Sequence, residues 1–158
     1  SKVFLSDIRN QYAELTASSL YTNVLSQAPC SIVGQSPLNG CKTAVLVKTT
    51  DLDESLTFHS MRLTEEEAFQ HSSYLQTLSL FNKYIDYLKE NNLDMSTHLV
   101  RTWIYITDID VNYNGVVKAR NDIFRQYGLT ADTHYVASTG IGGDSQSGHA
   151  CVAIDFLT

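Results

Sequence analysis

The sequence predicts an α+β fold: a mixed or antiparallel sheet with two helices packed on one face. Three observations lead there. Short runs of β-branched and aromatic residues recur along the chain, with "HLVRTWIYIT" at 98–107 the clearest. Two longer segments, one after Thr64 and one across 111–127, carry apolar residues at steps of three and four. Strand-like and helix-like segments follow one another as β-β-β-α-β-α-β-β, which gathers both helices within one sheet's connections. At 158 residues and 43% hydrophobic content, the chain fits one domain that buries a single core.

The elements follow in order. Phe4, Leu5, Ile8, Tyr12, Leu15, Leu20, Tyr21, Val24 and Leu25 have roughly helical spacing, which predicts one or two short helices within 1–28. "GQSPLNG" at 34–40 is a turn by its Pro and Gly content. It separates "CSIV" from "CKTAVLVKT", and the two runs read as a hairpin with a long loop. "DLDE" at 51–54 is a second polar turn before a third strand, "SLTFHSMRL". Thr64 and Glu67 then form a capping box, in which each satisfies a free backbone N–H near the other. Glu65 and Glu66 place negative charge at the positive end of the helix dipole. Leu75, Leu78, Phe81, Ile85 and Leu88 continue that helix as one apolar stripe, and "ENNLD" ends it.

In the strand at 98–107, Val100, Thr102, Ile104 and Ile106 point one way; Arg101, Trp103 and Tyr105 point the other. Val116, Ala119 or Arg120, Ile123 and Tyr127 mark the face of the second helix, and Gly128 is placed to cap its end. "THYVAS" and "HACVAIDFL" close the chain. In the latter, Val152, Ile154 and Phe156 oppose His149, Cys151, Ala153 and Asp155. These elements divide into an N-terminal extension with the first hairpin (1–55) and a core (56–158). "SKVF" lacks a Met and "AIDFLT" ends flush with an apolar alternation, so we expect a piece of a longer chain.

Composition excludes several function classes. The net charge is −6 and the eleven Lys and Arg are scattered. Lys118, Arg120 and Arg125 read as a solvated helix face, so no nucleic-acid partner is expected. The longest aliphatic run, "AVLV", is far short of the roughly 20 residues a spanning helix needs, so no membrane partner is expected. No signal peptide is visible. Cys30, Cys41 and Cys151 form no C-x-x-C pair and suit reduced thiols in a cytoplasm. His59, His71, His98 and His134 show no metal-ligand spacing, so neither a metal nor a cofactor is expected.

The stretch "VASTGIGGDSQSG" at 136–148 leads from strand to strand. With no helix after it and no G-K-[ST], it is not a dinucleotide or phosphate cradle. A turn and a close backbone approach to a ligand both remain open, because glycine inside a strand often marks the latter. Ser138, Thr139 and the amides of Gly140 to Gly143, Gly142 included, can bind a small carboxylate or phosphate. Arg101, beside Trp103 and Tyr105, is an anion-binding candidate. On the last strand, His149 and Asp155 lie too far apart to touch. His149 and Cys151 are about 7 Å apart, longer than a hydrogen bond.

"HLVRTWIYITDID", "VVKARNDIFRQYG", "YVASTGIGG" and "HACVAIDFL" together resemble the RidA/YjgF family over about 56–157. The V-R-T-W and A-S-T-G-I-G segments are most similar to its chorismatase-like branch, whose members carry two such units in one chain, and this one resembles the N-terminal unit. The resemblance implies a sheet with two helices on one face (a chorismate-mutase-like arrangement), trimers or pseudo-trimers, and small-molecule clefts between units. RidA-type enzymes hydrolyse imines and enamines through a P-A-R-x-x-V arginine and an L-V-E-I-E glutamate. Here "VASTGI" puts Ser138 at the arginine and "CVAID" puts Ala153 at the glutamate. A serine cannot make the two-pronged charged contact and an alanine cannot move a proton. The expectation is therefore a non-catalytic scaffold, or one wall of a small-carboxylate cleft, with other such units as partners. The alternatives are a hydrolase or deaminase acting on imines, enamines or enol ethers through unnamed groups, and a small-carboxylate sensor. Older family labels, translation initiation inhibitor and endoribonuclease, gain no support from the acidic charge.

Overall fold

The computed structural model describes residues 1–49 and 55–158, so the turn expected at 51–54 lies outside the described residues. The chain runs β1 (Lys2–Leu5), α1 (Ile8–Ala17), α2 (Ser19–Asn23), β2 (Ser31–Gly34), β3 (Thr43–Leu46), β4 (Phe58–Met61), α3 (Glu65–Ala68), α4 (Ser73–Glu90), α5 (Met95–His98), β5 (Arg101–Ile106), α6 (Ile109–Gln126), β6 (Ala137–Gly142) and β7 (Val152–Leu157). Short 3-10 turns occupy Leu25–Gln27 and Leu38–Gly40.

The main sheet is mixed, in the order β4-β7-β5-β6. Strand β7 runs antiparallel to β4 and β5, while β5 and β6 are parallel. Parallel neighbours need a crossover, and α6 supplies it. Helices α4 and α6 cover one face, as the α+β reading expects. Their Leu80, Phe81, Tyr84, Val116 and Ile123 pack on Ile104, Ile106, Val152, Ile154 and Phe156. The Tyr84 and Phe156 rings stack with centroids 4.0 Å apart. Gly128, at φ 73°, ends α6 by letting its own N–H reach the Arg125 carbonyl and that of Leu129 reach Phe124.

The N-terminal segment departs from the sequence reading. Lys2–Leu5 is a strand, not the start of a helix. It lies between β2 and β3, parallel to the first and antiparallel to the second, so 31–34 and 43–46 do not form a hairpin. The alternation of "KVFL" buries Val3 and Leu5 against Ile8, Leu25 and Ile32, a period-two signal that the helical spacing further on obscured. This second sheet covers the face of the main sheet that the helices leave bare. Phe4 and Val33 pack there on Trp103, Tyr105, Ile141 and Ala153. Gly34 and Asp144 exchange two backbone hydrogen bonds, each 2.8 Å, and tie the layers together. A Cβ on Gly34 would stand 2.7 Å from the Ile8 side chain.

The first long helix is also divided. The capping box at Thr64 and Glu67 is present, yet it opens only the single turn of α3. The chain turns at Gln70, φ 57°, and Ser72 caps α4 anew. Gln76 explains the break: its amide donates to the carbonyls of Ala68, His71 and His149, which a continuous helix would not leave free together. Consequently Gln76 and Thr77 face inward, and Leu75 is exposed. Residues 95–98, partly assigned to the next strand, form the short helix α5.

Candidate functional site

Strand alternation sorts the residues singled out in the sequence onto two faces. Ser138 faces the helices, where its Oγ accepts from Thr102 at 2.8 Å. Gly140 shares that face, since a Cβ there would meet Tyr113 and Ile106. Gly142, two residues on, has nothing within 4 Å of such a Cβ. Arg101, Thr139 and Tyr105 lie on the opposite face, toward the small sheet. The structure therefore joins Arg101 to Thr139, places Tyr105 farther along the same face, and separates all three from Ser138, Gly140 and Gly142.

The inter-sheet face is built around Asp155, which is fully buried on β7. Its Oδ1 accepts from Arg62 Nη1 at 3.1 Å, and its Oδ2 accepts from the Tyr105 hydroxyl at 3.0 Å. Lys2 Nζ stands 3.2 Å from Oδ2 and donates to the Tyr105 oxygen at 2.7 Å. Arg62 also donates to Ser31 Oγ at 2.8 Å. Burial, then the nearby carboxylate, pushes the Tyr105 phenol well above its ordinary range. It therefore stays protonated as a donor.

Lys2 lies 4.0 Å from the centroid of the Trp103 ring, and Arg101 lies 4.8 Å from it. Such cation–ring contacts hold both groups in place. Burial lowers the Lys2 pKa; Asp155 opposes this, and Arg62 and Arg101 add to it. Arg101 Nη2 donates to Thr139 Oγ1 at 3.3 Å, while its Nε is buried without a hydrogen-bond partner among the described residues. Among the described residues the face thus holds three cations, Lys2, Arg62 and Arg101, against one carboxylate, in a chain whose net charge is −6.

Sequence reasoning missed Lys2, Arg62 and Ser31. Each comes from a different segment: Arg62 follows β4, which pairs with β7, whereas Lys2 and Ser31 reach Asp155 from the second sheet, where β1 and β2 pair. The one visible signal is a charged residue inside or beside a short apolar run, in "KVFL" and "SMRL".

No family model and no curated protein matches the chain. Solved structures do. A candidate translation initiation inhibitor from Salmonella typhimurium superposes with a TM-score of 0.51 at 10% identity, over 65% of this chain and 80% of that one. A member of the YjgF protein family from Neisseria meningitidis gives 0.52 at 17% identity, over 65% and 77%. A protein of unknown function from Pseudomonas aeruginosa gives 0.51 at 18% identity, over 72% and 85%. The chain has the YjgF fold.

Within this YjgF fold, the two positions where the resemblance places chemistry lie apart. Ala153 is buried on the inter-sheet face against Val33 and Tyr105, and Ser138 is on the helix face. Asp155, the acid on the inter-sheet face among the described residues, has both oxygens engaged by donors. Among the described residues, no cluster of three His, Cys, Asp or Glu could hold a metal ion, and no helix is long and apolar enough to cross a membrane.

Proposed function

We propose that the chain is a RidA/YjgF-like unit of a larger protein that binds a small carboxylate at the inter-sheet face and does not turn it over. The observation that carries this reading is Arg101. Among the described residues its buried Nε has no partner, its Nη2 holds only Thr139, and the surrounding charge is positive. A carboxylate accepting from Nε and an Nη together would satisfy the donor and offset the surplus charge. Trp103 and the Thr139 methyl would pack on the ligand's short apolar part. Turnover by the RidA route needs a free carboxylate, and here that position is Ala153 while Asp155 is occupied.

Calorimetric titration with 2-oxobutyrate tests the reading. Saturable binding is expected, and Arg101→Gln should weaken it by about tenfold or more, the worth of a charged hydrogen bond of roughly 1.5–3 kcal/mol. Equal affinity in wild type and variant refutes the site. Ammonia released faster than background from a freshly formed imine of the same acid refutes the absence of turnover.

A further inference from the structure

We propose a second binding site on the opposite face of the main sheet: the groove between α6 and the segment that leads into β6, which takes a flat aromatic carboxylate. The groove has a volume of about 370 Å³, in the range of small-molecule sites. Its origin is local. The glycine turn after α6 swings Leu129 back under the helix, where its N–H bonds to the Phe124 carbonyl at 2.7 Å. The chain then stands off the helix until Ala137 joins the sheet.

The lining has two chemistries. Phe124, Leu129 and Val136 make an apolar floor, and the largely exposed Tyr135 stands at the rim. Arg120 and Arg125 form the helix wall, and Ser138 lies at the sheet end. Arg120 donates only to the neutral side chain of Asn121, at 3.0 and 3.2 Å, and makes no ion pair among the described residues. Arg125 shares Asp122 with Lys118: it lies 3.5 Å from that carboxylate, and Lys118 lies 2.8 Å from it. Asp132, on the facing loop, pairs with neither arginine among the described residues. A ligand with an apolar plane and one carboxylate matches both parts: the ring covers the floor, and the carboxylate meets the guanidinium groups, which favour planar oxyanions. A neutral ring leaves the arginines unanswered, and a bare anion leaves the floor wet.

This site is independent of the carboxylate reading above, because it lies on the other face of the sheet and shares no residue with it. The probes are benzoate and its neutral counterpart benzamide, titrated into the isotope-labelled chain by NMR. The expected result is saturable benzoate shifts at the amides of Leu129, Val136 and Ser138, with benzamide at least about tenfold weaker. The double variant Arg120→Gln/Arg125→Gln should weaken benzoate by about tenfold or more, with an unchanged unfolding midpoint that excludes misfolding. Arg101→Gln should leave the benzoate affinity unchanged. The proposal is overturned by benzamide binding as well as benzoate, by the double variant binding as wild type, or by loss of benzoate binding in Arg101→Gln.

Discussion

Asp155 and Arg101 occupy the same face and do opposite work. The buried Asp155 neutralises two partly buried cations, so Asp155→Ala leaves Lys2 and Arg62 without a counter-charge among the described residues. Removing one partner of a buried ion pair costs about 3–5 kcal/mol, and chemical denaturation should show a loss of that size. Arg101 has no carboxylate to lose among the described residues. Arg101→Gln should change stability by less than about 1 kcal/mol while weakening ligand binding, which separates a structural from a binding residue. Lys2 supplies a third readout. Its amine sits below its ordinary 10.5 because burial and two neighbouring cations disfavour the charged form. An anion bound nearby favours that form and raises the pKa. Carboxylate binding should therefore take up protons at pH values between the lowered Lys2 pKa and the higher one it has with the anion bound. Calorimetry in two buffers of different ionisation enthalpy detects this, and no uptake places the ligand away from Lys2.

At the scale of elements, close approaches fix how the layers sit. A Cβ on Gly115 would meet Ser73 Oγ and stand 3.0 Å from the Tyr74 backbone nitrogen, where α6 crosses the start of α4. Alanine gains up to about 1 kcal/mol in helix propensity, but overpacking typically costs about 1–3 kcal/mol. Backbone is the obstacle here, so the clash wins: Gly115→Ala should lower the unfolding midpoint.

One carboxylate fastens the C-terminal end of the glycine-rich loop. Glu65 accepts from the N–H groups of Gly148 and His149 and from His149 Nδ1. The Gly148 amide first, then the His149 ring, pulls its pKa from 4.5 to about 2. Stability from this clasp is present above pH 4.5 and is lost as pH falls toward 2. Amide exchange protection at Gly148 and His149 should decline over that window in wild type. In Glu65→Gln it should be low throughout.

The elements that sequence made legible are those whose pattern is local. The α6 stripe, the two faces of β5 and the alternation of β7 from Val152 onward appear as read, but Cys151, expected beside Ala153 and Asp155, precedes the strand and packs on the helix side against Gln76. The break between α3 and α4 was hidden because its cause, Gln76 serving three carbonyls, includes His149 from far along the chain. The missed β1 is four residues long, too short for alternation to outweigh the helical spacing beside it.

For the whole molecule, the YjgF fold accounts for the main sheet and its helices, and the second sheet turns the bare face into a lined interior. That layering sorts the expected ligand residues: Arg101, Thr139 and Tyr105 inside the sandwich, Ser138 and Gly140 under the helices. The site was half legible for this reason. Types and strand faces could be read from β5 and β6, whereas Lys2, Arg62 and Ser31 reach Asp155 only through pairings between distant segments. The edge strand β3 leaves Val45, Leu46 and nearby Val47 exposed. If further units pack here, Leu46→Lys should reduce the mass seen by light scattering without unfolding the chain.

The central claim is that Arg101 receives the carboxylate. Its side-chain Nε–H resonance reports this most directly during titration with 2-oxobutyrate. A saturable shift of that resonance, tracking proton uptake, is the predicted result. A ligand that binds and leaves the Arg101 Nε–H unmoved contradicts it.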